Sequence, residues 1–197
     1  MFRKLFLAAA VATVTFATNA GAVTVATGTT QAGDTDNIDL VGPATSVISP
    51  GQHPSFGSQP GADWVWAPGA FAHTAHSFSF NFDLTGFDLG TVMLSGLVLV
   101  DNTVDILLNG TSIFALSDLI VGNFTAPNPF ATNVSNLFNA GANEVIFNVA
   151  DAGGGYGFNA SIDVSADAIT SPVPLPAGGA LLLGGLLMLH AGRKRRS

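Results

Sequence analysis

Three sets of residues are of types that bind or react. The run "GDTDNIDL" places Asp34, Asp36, Asn37 and Asp39 within six residues. That density of hard oxygen donors suits Ca²⁺. It lacks the Gly at position six and the later Glu of an EF-hand loop, so that motif is excluded. Asp101, Asn102 and Asp105 form a second acidic cluster. At both clusters the competing reading, Asx-turn capping of loops, is the stronger one. The third set is aromatic. Trp64 and Trp66 in "DWVWA" share a face if that segment is a strand, and Tyr156 is the one tyrosine. Such rings stack on sugars, although plugging a sandwich core is their more ordinary use.

The remaining catalytic chemistry is sparse. There is no cysteine, which excludes thiolate nucleophiles and Zn–thiolate sites. His73 and His76 form H-x-x-H, but on a strand that spacing puts them on opposite faces. His53 stands alone in the Pro/Gly/Ser-rich loop "SPGQHPSFGSQPG". No G-x-S-x-G marks a nucleophile elbow. Convergent carboxylates for glycoside hydrolysis stay open, since any two of thirteen acidic residues can meet in a fold. The expectation is a protein that is not an enzyme.

The elements that hold these residues follow from charge and periodicity. All six Lys and Arg lie at the ends of the chain, and all thirteen acidic residues lie between Asp34 and Asp167. The interior therefore repels phosphate backbones, which argues against nucleic acid as a partner. At the amino end, "MFRK" precedes the apolar "LFLAAAVATVTFA" and the small residues "AGA", with Ala20 and Ala22 at −3 and −1. This is the composition of a secretory signal peptide, residues 1–22, with cleavage after Ala22 and an alternative site after Ala20.

Residues 23–172 supply a single ectodomain, long enough to bury about 68–70% of its unfolded surface without disulfides. In "HSFSFNFDL", Phe78, Phe80, Phe82 and Leu84 alternate with Ser77, Ser79, Asn81 and Asp83. Strict period two with aromatics predicts a half-buried strand. The pattern returns in "VDILLNG", "EVIFNVA" and "YGFNASIDVSA", while the apolar "GTVMLSGLVLVD" predicts a central strand covered on both faces. The turns "APG", "LNG", "AGAN" and "AGGG" separate these runs. An all-β fold is predicted, an antiparallel β-sandwich of jelly-roll type. An N-terminal signal helix and a C-terminal transmembrane helix are expected to flank it.

The segments "SFNFDLTGFDLGTVMLSGLVLVDNTVDILLNG" and "LFNAGANEVIFNVADAGGGYGFNASIDV" resemble the galactose-binding-like jelly-roll domain, over residues 62–166. The resemblance implies a two-sheet sandwich whose end loops take sugars or other small ligands. It does not identify the ligand.

At the carboxyl end, the charge-free stretch from Val173 to Gly192 is about 30 Å long if helical, enough to span a bilayer. Arg193, Lys194, Arg195 and Arg196 follow, a basic stop on the cytoplasmic side. The segment 173–197 opens with Val173, Pro174, Leu175, Pro176 and Ala177. Motif, apolar stretch and basic cluster together resemble the VPLPA-CTERM form of the PEP-CTERM sorting signals. Leu175 stands where the commoner form has Glu. The resemblance implies an exosortase-type membrane protease as partner, a transient single-pass stay in the inner membrane, and delivery to the cell surface or extracellular matrix. The function expected is that of an exported, C-terminally sorted, non-enzymatic surface protein with polysaccharide as ligand. The alternative is a secreted Ca²⁺-dependent lectin or polysaccharide hydrolase.

Overall fold

The computed structural model describes residues 21–33, 37–117 and 122–169. The expected signal helix, the sorting segment, and both Asp34 and Asp36 lie outside these residues. Among the described residues no helix is long and apolar enough to cross a membrane.

Alternation of apolar and polar side chains makes the strands. In β5 (Ala75–Asp83) the inward Phe78, Phe80 and Phe82 are buried. The same alternation shapes β7 (Thr103–Leu108) and β10 (Ala142–Ala150). The other long strands are β1 (Val23–Thr29), β6 (Met93–Asp101), β8 (Thr111–Leu116), β9 (Asn128–Thr132) and β11 (Gly157–Ala166). Three strands of two residues each, β2 (Asp39–Leu40), β3 (Val47–Ile48) and β4 (Val65–Trp66), extend the sheet edges. One short helix, α1 (Gly122–Thr125), precedes β9.

All strand pairings are antiparallel. One sheet runs β3-β4-β11-β6-β9, with β1 beside β4 on the same edge of β11, and the other runs β2-β5-β10-β7-β8. The long strands pair as nested sets: β1 with β11, β5 with β10, β6 with β9, and β7 with β8. A chain paired in this way is one long hairpin rolled into two sheets, which is the jelly roll that the alternation predicts. The innermost turn is Asn109-Gly110, with φ of 48° and 83°. Two consecutive positive φ values are what a two-residue hairpin with right-handed strand twist requires. β1 lies outside the window of the family resemblance, yet it pairs along six positions of β11. The sandwich therefore begins well before residue 62.

The core fills the gap between the sheets and is rich in Phe. Phe130 is seated over Gly96, where a Cβ would lie 2.4 Å from the ring and 2.2 Å from the Ser161 carbonyl oxygen. Only a glycine leaves room there. The expectation that β6 is covered on both faces holds at its far end, where Val98, Leu99 and Val100 are all buried. The outer cover comes from the segment between β3 and β4. It has no regular structure, but Phe56 and Trp64 from it pack with Phe124 of α1 over Leu99. Beneath the same segment Asn159 is fully buried; its amide donates to Ala62 O at 3.0 Å, and it accepts from Gln59.

Candidate ligand-binding site at one end of the sandwich

Two connections cross between the sheets side by side. β6 leads into β7 through Asn102, and β10 leads into β11 through Asp151–Tyr156. Gly157 pairs with Asp101 and Ala150 pairs with Thr103, so both crossings occur at the same end. The β4–β5 connection joins them, because the Asp151 amide donates to Thr74 O at 2.9 Å. The chain after β3 joins through the Tyr156 amide, which donates to Gly51 O at 3.1 Å.

Asn102 ties these loops together. Its amide N–H donates to Ala150 O at 3.0 Å, and its Oδ1 accepts from the Ala152 amide at 2.7 Å. Its carbonyl accepts from Asn123 Nδ2 at 2.8 Å, which fastens α1 to the same end. Asp151 is a second organiser. Oδ2 accepts from the His73 amide at 2.6 Å and Oδ1 from the Gly153 amide at 3.0 Å. Both are loop-fixing bonds of the kind that the acidic residue types predict.

Asp101 differs. It is 3% exposed, and among the described residues its carboxyl accepts one hydrogen bond, from Asn102 Nδ2 to Oδ1. Oδ2 accepts none from the described residues, yet it is not sealed from solvent. The site of a Cβ on Gly155 lies 3.0 Å from this oxygen, 2.9 Å from Gly51 O and 3.2 Å from His53 Cβ. A side chain has no room there, so the glycine is what lets Gly51, His53 and Asp101 pack against this turn. Burial pushes the Asp101 carboxyl up to about 6; the Asp151 carboxylate adds to the shift and His53 opposes it. The rim carries Phe71, which is 74% exposed and the one aromatic among the widely exposed large apolar residues described. It precedes His73 by two positions, in the loop pinned by Asp151.

The residues expected to bind ligand are divided by this geometry. Asp101 and Asn102 sit at the loop end, but Asp105 does not join them; it accepts from Ser112 Oγ at 2.6 Å on a strand surface. Trp64 and Trp66 do not share a face: Trp66 is in the main core and Trp64 in the small outer cluster. The chain turns between them, because Trp64 precedes β4 and packs outward, 4.1 Å from the Phe56 ring. Tyr156 is buried against Trp66, with ring centroids 5.8 Å apart. Asp39 is in β2, opposite Ser79. Among the described residues no three His, Cys, Asp or Glu side chains gather as a metal site would need.

His73 and His76 take no common role. His73 is in a loop at φ 65°, and its ring lies over Gly153. His76 meets the Trp66 ring edge-on at 5.1 Å, and burial lowers its pKa. The Thr74 hydroxyl beside it donates to Phe71 O at 2.8 Å, so it is held as a loop bond rather than poised for attack.

Sequence reasoning missed Asp151, Phe71 and the proximity of His53. Asp151 precedes the Gly run "AGGG", a place where a carboxylate can reach several amides. Phe71 is an aromatic in "APGAFAHTA" without an alternating partner, which marks a ring that has no strand face to bury it.

No family model matches the chain, and no curated protein matches it. Solved structures do. A family 35 carbohydrate-binding module from an environmental isolate is 16% identical, with a TM-score of 0.38, covering 71% of this chain and 94% of that one. The carbohydrate-binding module CBM36 in complex with calcium and xylotriose is 14% identical, with a TM-score of 0.34, covering 74% and 97%. CBM35 from Cellvibrio japonicus Abf62 is 13% identical, with a TM-score of 0.36, covering 76% and 100%. Likeness at this level identifies neither a ligand nor an activity for this chain.

Proposed function

We propose that this is an exported cell-surface or extracellular-matrix protein that binds a glycan, without turning it over, at the loop end of its sandwich. The observation that carries the reading is the exposed Phe71 ring on a loop fixed by Asp151. A sugar ring offers an apolar face to stack on such an aromatic and hydroxyls to donate to a carboxylate. Export rests on the basic and apolar residues 1–17 with the small residues to Ala22. Sorting rests on Val173–Ala177, the apolar stretch and Arg193–Arg196, which fit an exosortase-type protease and a transient stay in the inner membrane.

A glycan array probed with the detergent-solubilised full chain tests the binding. We expect Phe71→Ala to weaken retention of the bound glycan about tenfold, the effect of about 1.4 kcal/mol, with the melting temperature unchanged. No bound glycan, or equal binding by the variant, would overturn the reading. Release of reducing sugar from a bound polysaccharide would instead identify a hydrolase, and loss of binding in a chelator a Ca²⁺-dependent lectin.

A further inference from the structure

An open depression of about 490 Å³ lies on the outer face of β5 and β10, at the end of these strands that the Phe71 loop enters. Small-ligand sites occupy about 300–1,000 Å³, so it has room for a sugar unit. Ala75 and Ala150, direct partners in the β5–β10 pairing, give it a low apolar floor. Val41 stands exposed at one side. Its amide donates to Ser77 O at 2.8 Å, which carries the chain after β2 along the edge of β5.

Ser77 and Asn148, the next pair on the same face, supply the polar atoms. Ser77 Oγ donates to Asn148 Oδ1 at 2.7 Å. With its proton committed there, Ser77 Oγ offers lone pairs only, and Asn148 Nδ2 keeps two N–H donors without a partner among the described residues. An acceptor beside a donor complements adjacent hydroxyls on a sugar ring, since each hydroxyl can give one proton and accept others. Among the described residues no Asp, Glu, Lys or Arg lines the depression. Nor is there a Lys or Arg between residues 5 and 192 to hold an anionic polymer.

Thr74, the residue before Ala75, ties this depression to Phe71. Its hydroxyl donates to Phe71 O at 2.8 Å, and the same oxygen lies 3.3 Å from Trp66 Nε1 and 3.2 Å from His76 Nε2. One proton given leaves two lone pairs, so Trp66 and His76 both donate to it, with the His76 proton on Nε2 by that accounting. The Phe71 loop is thereby fastened to the buried Trp66 and to His76, which lines the depression. We infer that the depression is a second sugar subsite, for one unit of an uncharged hexose or pentose polymer, another unit of which stacks on Phe71. The inference rests on the glycan-binding reading above and extends it from one sugar ring to a stretch of chain.

Isothermal titration of the full chain in detergent uses hexamers of glucose, xylose, mannose and galactose, the four monomers, and a galacturonate hexamer. At least one neutral hexamer should bind, at least about tenfold more tightly than its monomer, and the galacturonate hexamer should not bind. Asn148→Ala should weaken that hexamer about fivefold, the effect of one lost neutral hydrogen bond. Asn81→Ala, on the same outer face of β5 but beyond the depression, should change it less than about twofold. Asn148 and Asn81 are both exposed, so neither variant should shift the melting temperature. Equal effects of the two variants, or a monomer that binds as tightly as the hexamer, would overturn the subsite; a loss in Phe71→Ala would then leave the stacking reading intact. Binding of the galacturonate hexamer, or of no neutral hexamer while the glycan array retains another glycan, would overturn the uncharged class alone. No binding of any probe, together with an empty array, would remove both readings.

Discussion

Gly96 and Asp101 show how single residues on β6 serve two different ends. Gly96 faces the core, and Phe130 occupies the volume its side chain would take. Gly96→Ala should destabilise the domain by about 1–3 kcal/mol, the usual cost of overpacking, as read by urea denaturation. An unchanged midpoint would show that both the Phe130 ring and the Ser161 carbonyl give way without cost. Asp101 gives a pH signature. Its carboxyl is pushed up from 3.8 to about 6, chiefly by burial. The folded state thus takes up this proton at higher pH than the unfolded chain does. The group's stabilising contribution is complete below about pH 4 and is lost as the pH rises through about 6. His76 runs the other way: burial lowers its pKa, so stability is lost as pH falls below 6.5. Comparing wild type with Asp101→Asn cancels the histidine. The wild type should gain on the variant between pH 7 and pH 4, and a constant difference across that range would contradict the burial of Asp101.

At the scale of elements, the β3–β4 segment and the carboxyl-terminal tail carry the sharpest consequences. The segment reads as a loop from its Pro, Gly and Ser content, and it forms no strand or helix. It acts as a third layer nonetheless, because Phe56, Trp64 and Gln59 seal the outer face of β6 and β11. The tail is a matter of sequence. Pro174→Ala with Pro176→Ala should leave export intact but hold the protein in the inner membrane. On the proposed sorting, the apolar stretch would still insert, whereas a segment that prolines hold away from helix would lose that bias once they go. Fractionation with intact mass, in a host carrying its own exosortase, measures this. Release as fast as wild type would mean that the prolines are not the recognition element.

For the whole molecule, the absence of internal cations sets the solution behaviour. Exposed Asp63, Asp83, Asp88, Glu144 and Asp163 have no Lys or Arg between residues 5 and 192 to pair with. Their mutual repulsion is screened as the Debye length falls from about 30 Å at 0.01 M salt to about 8 Å at 0.15 M. The melting temperature should rise by about 2–4 °C over that range, the shift that about 1 kcal/mol produces in a domain of this size. A flat or falling salt response would show that the acidic groups are too far apart to matter. The same repulsion keeps copies of the protein dispersed, in keeping with the export proposed above.

Several features of this protein were determined by sequence alone because they are local. Period-two alternation specifies the faces of β5, β7 and β10, since a strand offers its side chains to alternate sides. Asn109-Gly110 specifies the innermost hairpin, and the segregation of charge limits the partners before any fold is known. The loop-end site was not legible in that way. Asp101 and Asp151 are fifty positions apart, and they meet only because β6–β7 and β10–β11 cross between the sheets at the same end. Trp64 and Trp66 are two residues apart and were expected on one face, yet packing of the β3–β4 segment turns one outward and leaves the other in the core. The local pattern says which side of a strand a residue faces. What lies on that side is decided by pairings distant in sequence.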